Sequence, residues 1–383
     1  MRDCIVAVER ALAATPDAVL AREVERLSDL YTTGRGRLAD EQQDARHLAA
    51  KREYFLASDA PKVALALSEC TGRHPAFARL ATLPRLRILD LGAGTGATSV
   101  GLLAFLAAAR AGSATPLEVA IDAVEGARPA AAALPDAIHA AARATGFRVE
   151  LEVVEGDLRR ARTGGHPPYD LILCQTALNE LLVGEEHAAS TVALVGRWAR
   201  ASPLLVIEPA LHATTRALMA LRDALVAEGA AHVVAPCLHQ RPCPMRARPG
   251  DWCHEARSIE RTPRVEAIDR IVGRRDARAL YSFVATVPTE AAATSSDAGD
   301  GRTVRLVTDP LGSRGKTERL ACRDDGQLRL LRLLDREANE SNRAFLEAGR
   351  GDIVAFSEVP PADRIRPTVM VARATRAASE GSG

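Results

Sequence analysis

Aromatic residues are scarce in this chain, 13 of 383. Single-strand-binding grooves stack successive bases on aromatic rings, so that class of nucleic-acid protein is not expected here. Lysine is nearly absent, with only Lys51, Lys62 and Lys316, and the formal net charge is +1. The chain as a whole therefore lacks the basic field that draws a protein to DNA or to a membrane surface. No apolar run nears the roughly 18 residues that a membrane-spanning helix requires. No internal repeat is visible. The opening stretch MRDCIVAVERALAATPDAVLARE mixes acids into its apolar run and does not read as a secretory leader. The seven cysteines are odd in number and unevenly spaced, which fits a reducing compartment better than a disulfide framework. Abundant arginine and alanine look like a GC-rich bacterial coding habit, so the expected location is a bacterial cytoplasm.

What is present is ample core material, 47% hydrophobic residues, in a chain long enough for two or three domains. Residues 1–83 read as a helical N-terminal region, with Val6, Leu12, Val19, Leu20, Val24, Leu27 and Leu30 at three- and four-residue spacing. From Arg85 onward, strand-like runs (LRILDLG, LEVAIDAV, VELEVVEG, YDLILCQ, PLLVIEP, AHVVAP) alternate with helical stretches, the pattern of a doubly wound, mainly parallel sheet. This domain covers 84–287. A cysteine- and proline-rich insertion, 236–278, interrupts it, and ALYSFVATV then resumes the strand character, so the last two strands are expected to form a hairpin opened by a long loop. Residues 288–301 read as a linker. Residues 302–372 read as a small β-rich appendix, and 373–383 as a frayed tail.

LRILDLGAGTGATSV sets Asp90, Gly92, Gly94 and Gly96 between a strand and a helix. Glycines there allow a tight turn and close approach of a ligand, and the helix start offers N–H groups. Dinucleotide binding competes with S-adenosylmethionine binding on this motif alone. Acids after the next strands favour the methyl donor: Glu125 for both ribose hydroxyls, with Asp122 as its rival, and Asp157 for the adenine amino group. The expected fold is α/β, a class I Rossmann-like S-adenosylmethionine methyltransferase fold.

Cys237, Cys243 and Cys253 crowd the text PCLHQRPCPMRARPGDWC, and Cys322 lies 69 positions beyond the third. So many prolines exclude a regular helix or central strand, and clustered thiols in a reducing compartment more often bind metal than cross-link. The spacing C-x5-C-x9-C fits neither a zinc ribbon nor a ferredoxin run. Buried thiols without metal remain open, as does zinc with His239 or His254 in place of one thiolate. Cys4, Cys70 and Cys174 read as core or surface thiols.

The segments YDLILCQTALNEL, LLVIEPAL and HVVAPCLHQRPCPMRARPGDWCHEA, with GKTERLAC ending at Cys322, resemble the methyltransferase-like assembly factors of the small ribosomal subunit found in mitochondria and bacteria. The resemblance runs from about residue 84 to 355. It implies association with the maturing small subunit and its rRNA, and a [4Fe-4S] cluster on Cys237, Cys243, Cys253 and Cys322. Glu255 stands where the family pattern has an aromatic, and the N-terminal region is less recognisable.

No motif assigns a catalytic residue. Gln175, Thr176 and Ala177 replace the Asn-Pro-Pro-aromatic text of amino-group methyltransferases, and Cys174 lacks the neighbouring proline of base-carbon enzymes. Asn179 and Glu180 either face the donor pocket or start a helix. Between Arg241 and Arg278, ten arginines face six acids, which suggests phosphate contacts, with solvated helix faces as the plainer alternative. The reading is a donor-binding, iron-sulfur factor of the small subunit, with rRNA as its candidate methyl acceptor. The alternatives are a freestanding small-molecule methyltransferase with structural zinc and an inactive RNA-binding factor.

Overall fold

The computed structural model describes residues 1–34, 44–113, 115–161, 168–182, 185–275, 277–292 and 299–375. Part of the expected linker (293–298) and most of the expected tail (376–383) lie outside the described residues. Two compact units emerge. The first comprises Met1–Thr71, Pro75–Leu178 and Ser258–Ala279; the second comprises Gly72–His74, Asn179–Arg257 and Leu280–Gly383.

The first unit carries four parallel strands, β1 (Arg85–Leu91), β2 (Glu118–Glu125), β3 (Arg148–Glu155) and β4 (Leu171–Gln175), in the order β3-β2-β1-β4. Leu86, Ile88, Leu91, Val119, Ile121 and Ala123 are all fully buried, as strands covered on both faces must be. Strand β3 is the edge and alternates between exposed and half-buried positions. Its N-terminal helices are α1 (Arg2–Leu12), α2 (Asp17–Thr32), α3 (Ala45–Ala50) and α4 (Leu56–Thr71), with a π-helical turn at Lys51–Phe55. Then come α5 (Pro75–Ala78), α6 (Ala97–Ala109) and α7 (Arg128–Thr145). Helix α6 is buried from Thr98 to Leu106. A Cβ on its Gly101 would lie 2.3 Å from the Ala60 carbonyl oxygen, so glycine there is what lets α4 pack against α6.

Buried carboxylates tie the N-terminal helices to the helix Pro263–Ile271, which follows the cysteine-rich loop in sequence. Glu9 accepts from the Thr262 hydroxyl and from the N–H groups of Arg264 (3.4 Å) and Val265 (3.3 Å), satisfying donors that a helix start leaves open. Tyr54 donates to Asp269 at 2.5 Å, and Arg261 pairs with the same carboxylate at 2.9 Å. Glu53 accepts from Ala14 N–H and Thr15 N–H (both 3.0 Å) and from the Thr15 hydroxyl (2.8 Å), and it pairs with Arg264 at 2.9 Å.

The second unit contains β5 (Leu204–Pro209), β6 (His232–Ala235), β7 (Glu255–Ser258) and β8 (Arg278–Val287). β8 runs antiparallel between β5 and β6, which is the expected hairpin opened by the insertion. Helices α8 (Glu185–Ala201) and α9 (His212–Ala227) accompany these strands. The β-rich appendix is a seven-stranded sheet of β9 (Thr303–Leu306), β10 (Leu311–Ser313), β11 (Lys316–Arg323), β12 (Leu328–Leu334), β13 (Ile353–Phe356), β14 (Arg364–Ile365) and β15 (Val371–Thr375). Its order is β14-β12-β11-β9-β13-β15, with β10 paired to β11. Val304, Leu306, Ala321, Leu331, Leu333, Phe345, Val354 and Ile365 make its core. The parallel strands with their glycine loop, and an antiparallel strand between β5 and β6, are the hallmarks of the class I methyltransferase sheet.

Replacing Glu53 by Ala removes four interactions and leaves the half-buried Arg264 guanidinium with only the Thr15 carbonyl and the more distant Asp17. A loss on the order of 3 kcal/mol is expected, read as a lower urea midpoint with an unchanged slope.

Candidate donor site and cysteine cluster

In the first unit, β1 ends in the expected loop. Gly92 (φ 70°), Gly94 (φ 56°) and Gly96 (φ 101°) all adopt left-handed backbone, which costs other residues strain. A Cβ on Gly92 would lie 2.5 Å from the Ala177 Cβ, so the loop rides against the segment that follows β4. That segment is itself strained: Thr176, β-branched and exposed, has φ 59°, an outlier of the kind that concentrates at functional sites.

Asp90 is fully buried. The Ser99 hydroxyl donates to its Oδ2 at 2.6 Å, while Oδ1 has no hydrogen-bond partner among the described residues. Burial pushes this carboxyl up to about 7, with Glu125 adding to the rise and Ser99 opposing it. Glu125 accepts from Gly94 N–H (2.8 Å) and Ala127 N–H (2.7 Å), which holds it against the glycine loop. Its rival Asp122 is committed elsewhere, accepting from Tyr169 (2.6 Å) and Arg87 (3.2 Å). Asp157 caps the turn after β3, taking Arg159 N–H at 2.9 Å, and its bonds to the Arg159 side chain hold it below the usual carboxylate range.

Sequence reasoning missed the N-terminal contribution to this site. The Thr95 hydroxyl donates to the Lys51 carbonyl in the π-helical turn at 3.3 Å. Gln175, buried at the end of β4, accepts from Thr98 (3.2 Å) and donates to the Asp59 carbonyl (3.1 Å). A π-turn at a functional loop is a recurrent pairing, yet Lys51–Phe55 carries no signature that separates it from an ordinary helix.

Cys174 is buried inside β4, a core position rather than a nucleophile's. In the second unit, Asn179 Nδ2 donates to Glu208 Oε2 at 2.7 Å, and both residues are buried. Glu180 is exposed.

The cysteine cluster also belongs to the second unit. Its irregular backbone is held by side chains. Arg73 donates to the carbonyls of Pro236 (3.2 Å) and Cys237 (2.8 Å). The Gln240 amide pairs with both the N–H (2.9 Å) and the carbonyl (2.8 Å) of Val233, imitating a strand neighbour. From α9, Arg216 reaches the carbonyls of Arg246, Arg248 and Asp251 at 2.9 to 3.0 Å. Arg222 reaches those of His239 and Arg241, and Asp223 accepts Cys243 N–H at 2.9 Å.

Cys237, Cys243, Cys253 and Cys322 are free thiols and half-buried. The last three pack with Trp252 and Leu328 against Met219, Met245, Val307 and Leu320. Burial, then the charge of Cys237, pushes Cys243 up to about 11. Burial followed by the charges of Cys243 and Cys237 lifts Cys253 well above the usual thiol range, and the same influences lift Cys322 while Arg222 and Arg305 oppose them. His239 Nε2 lies 3.5 Å from the Cys322 sulfur, and its Nδ1 is 3.1 Å from the Arg241 carbonyl. His254 Nε2 is 2.8 Å from Arg350 Nη1. Among the described residues, no group of three or more His, Cys, Asp or Glu is arranged so that it could hold a metal ion. Four cysteines are the donor type of thiolate-held iron-sulfur clusters, in which each thiolate takes a different iron.

Half of the ten arginines between Arg241 and Arg278 are paired with acids of the chain. Arg246 pairs with Asp223 (2.9 Å), Arg248 with Asp251 (2.5 Å), Arg257 with Asp352 (2.6 Å), Arg261 with Asp269 (2.9 Å) and Arg264 with Glu53 (2.9 Å). These five are committed to acids of the chain, and Arg257, Arg261 and Arg264 are withdrawn from the surface. Arg241, Arg270 and Arg275 are exposed.

Comparison with known proteins agrees with part of this picture. Residues 56–352 match the family model described as "Mitochondrial small ribosomal subunit Rsm22". No curated protein matches the sequence. Among solved structures, one similar chain is a putative class I S-adenosylmethionine-dependent methyltransferase from Listeria monocytogenes, 13% identical over 75% of this chain and 89% of that chain, TM-score 0.32. Another is an S-adenosylmethionine-dependent methyltransferase from Geobacter sulfurreducens in complex with S-adenosyl-L-homocysteine, 15% identical over 55% of this chain and 88% of that chain, TM-score 0.30. Both likenesses are distant.

The Asp90 carboxyl holds its proton to about 7 in the folded chain, whereas an unfolded aspartate releases it near 4. Folding thus takes up a proton in that window, and this group's contribution to stability falls as pH rises from about 4 to about 7. In ligand-free protein, Asp90→Asn is expected to raise the melting temperature at pH 8 and to flatten this dependence. Gly92→Ala, colliding with Ala177 at a left-handed position, is expected to cost about 1 to 3 kcal/mol, read by chemical denaturation.

Proposed function

The chain belongs to the Rsm22 family of the mitochondrial small ribosomal subunit, and on that premise we propose that it is a bacterial, cytoplasmic, methyltransferase-like factor of the small subunit. In this reading it binds S-adenosylmethionine and carries a four-thiolate iron-sulfur centre. The observation that carries the reading is the span of the family match: residues 56–352 take in the glycine loop and all four clustered cysteines. The bacterial cytoplasm is supported by the arginine- and alanine-rich composition and by the free thiols.

For the donor, Asp90 Oδ1 is the acceptor that the methionyl ammonium requires, directly or through water. A cation there favours the ionised carboxylate, so binding releases the Asp90 proton and tightens as pH rises toward about 7. Glu125 keeps lone pairs for the ribose hydroxyls beyond those given to Gly94 and Ala127. Asp157 stands after β3 for the adenine amino group. Methyl transfer to rRNA in such a site would proceed by positioning, and no catalytic residue is assigned. The burial of Cys174 speaks against a covalent cysteine route; the second reading is a factor that binds donor and RNA without turnover.

Cys237, Cys243, Cys253 and Cys322 would hold the cluster. When bound, it supplies a four-point cross-link. Only Cys322 comes from the C-terminal sheet, in β11, so these thiols would tie that sheet to the cysteine loop. Exposed Arg241, Arg270 and Arg275 are candidates for phosphate contacts on rRNA.

Protein purified without oxygen is expected to contain about four irons and four sulfides, lost in Cys322→Ser. It should co-sediment with small subunits, and the association should weaken steeply with salt. Colourless protein with one zinc and no subunit association would instead support a freestanding small-molecule enzyme. Labelled methyl transfer to purified subunits separates the catalytic reading from the binding-only one.

A further inference from the structure

Helix α9 lays two adjacent charged residues, Arg222 and Asp223, along the cysteine loop. Arg222 is 2% exposed. Its terminal nitrogens donate to the carbonyls of His239 and Arg241, both between Cys237 and Cys243, while its Nε has no hydrogen-bond partner among the described residues. Its carboxylate neighbour Asp223, at 2.9 Å, is shared with Arg246 and also accepts the Cys243 N–H. Two guanidiniums therefore draw on one carboxylate beside the thiols. The other buried guanidinium near the cysteines, Arg305, sits in a balanced group: Arg305 and Arg257 face Glu255 and Asp352. An under-neutralised cation in the interior is costly unless an anion faces it, and four thiolates around a metal centre leave a net negative charge.

We propose that Arg222 is a positioning residue and built-in countercharge for the thiolate metal centre, fixing the chain between the first two ligands and offsetting the charge they gather. The inference rests on reading the four cysteines as metal ligands. Arg216, one and a half turns earlier on α9, grips the same loop at Arg246, Arg248 and Asp251 and serves as the purely architectural comparison.

The test uses full-length protein with its metal, as wild type, Arg222→Gln, Arg222→Lys, Asp223→Asn, Arg216→Gln and Cys322→Ser. Metal retention against a competing chelator and the midpoint potential are measured for each. Arg222→Gln is expected to hold metal about 10- to 100-fold less tightly and to shift the potential to more negative values, because a lost positive charge disfavours the added electron. Arg222→Lys should restore the potential, Asp223→Asn should move it the opposite way, and Arg216→Gln should leave it in place. If Arg222→Gln does not fold, the sign of the Asp223→Asn shift decides. Equal retention and potential in wild type, Arg222→Gln and Asp223→Asn would overturn the inference while leaving the metal reading intact. If wild type holds no more metal than Cys322→Ser, the metal reading itself fails and the inference with it. Should the metal be zinc, the chelator comparison alone decides.

Discussion

Irregular backbone has to place every carbonyl and N–H it buries, and in the second unit that requirement governs the cysteine-rich insertion. Its proline-rich stretch from Pro236 to Cys253 joins no ladder among the described residues, so many of its backbone partners come from side chains. Three arginines and a glutamine supply them: Arg73 and Arg222 near the first two cysteines, Arg216 further along, and Gln240 against β6. These hydrogen bonds fix the course of the loop. Thiols can then be presented as a set, with the apolar contacts of Met219, Met245, Val307 and Leu320 filling in behind them.

The donor loop of the first unit spends stability differently. A positive backbone angle at Thr176, and a carboxyl buried with one oxygen unsatisfied, are unfavourable in isolation. They persist because α4 and the π-helical turn brace the loop through Thr95 and Gln175. Sites that must receive a charged group commonly carry such local costs, offset by a well-packed surround.

What could be read from the sequence was what is local. The glycine loop, Glu125 at the end of β2, the strand alternation and the interrupted hairpin of β6 and β8 all rest on neighbours within a few residues. Asp122 and Glu125 could not be separated that way, because the partners of Asp122, Tyr169 and Arg87, come from other strands. The arginines between Arg241 and Arg278 looked like a phosphate-facing surface because their acids are distant in sequence. Arg264 meets Glu53, and Arg257 meets Asp352. Arg216 and Arg222 left no trace at all, since their acceptors are carbonyls, which every residue has. The β-rich character of the C-terminal segment was legible, but its strand order was not.

The location of Cys322 in β11 has a consequence for synthesis. A chain made from its N-terminus presents the three loop thiols first, and the fourth follows 69 residues later, a delay of roughly 3 to 14 s at ordinary elongation rates. During that interval Met245 and the loop thiols lack the cover that Val307 and Leu320 later give them. An incomplete, uncovered three-thiol loop thus precedes the full set of four thiols during synthesis.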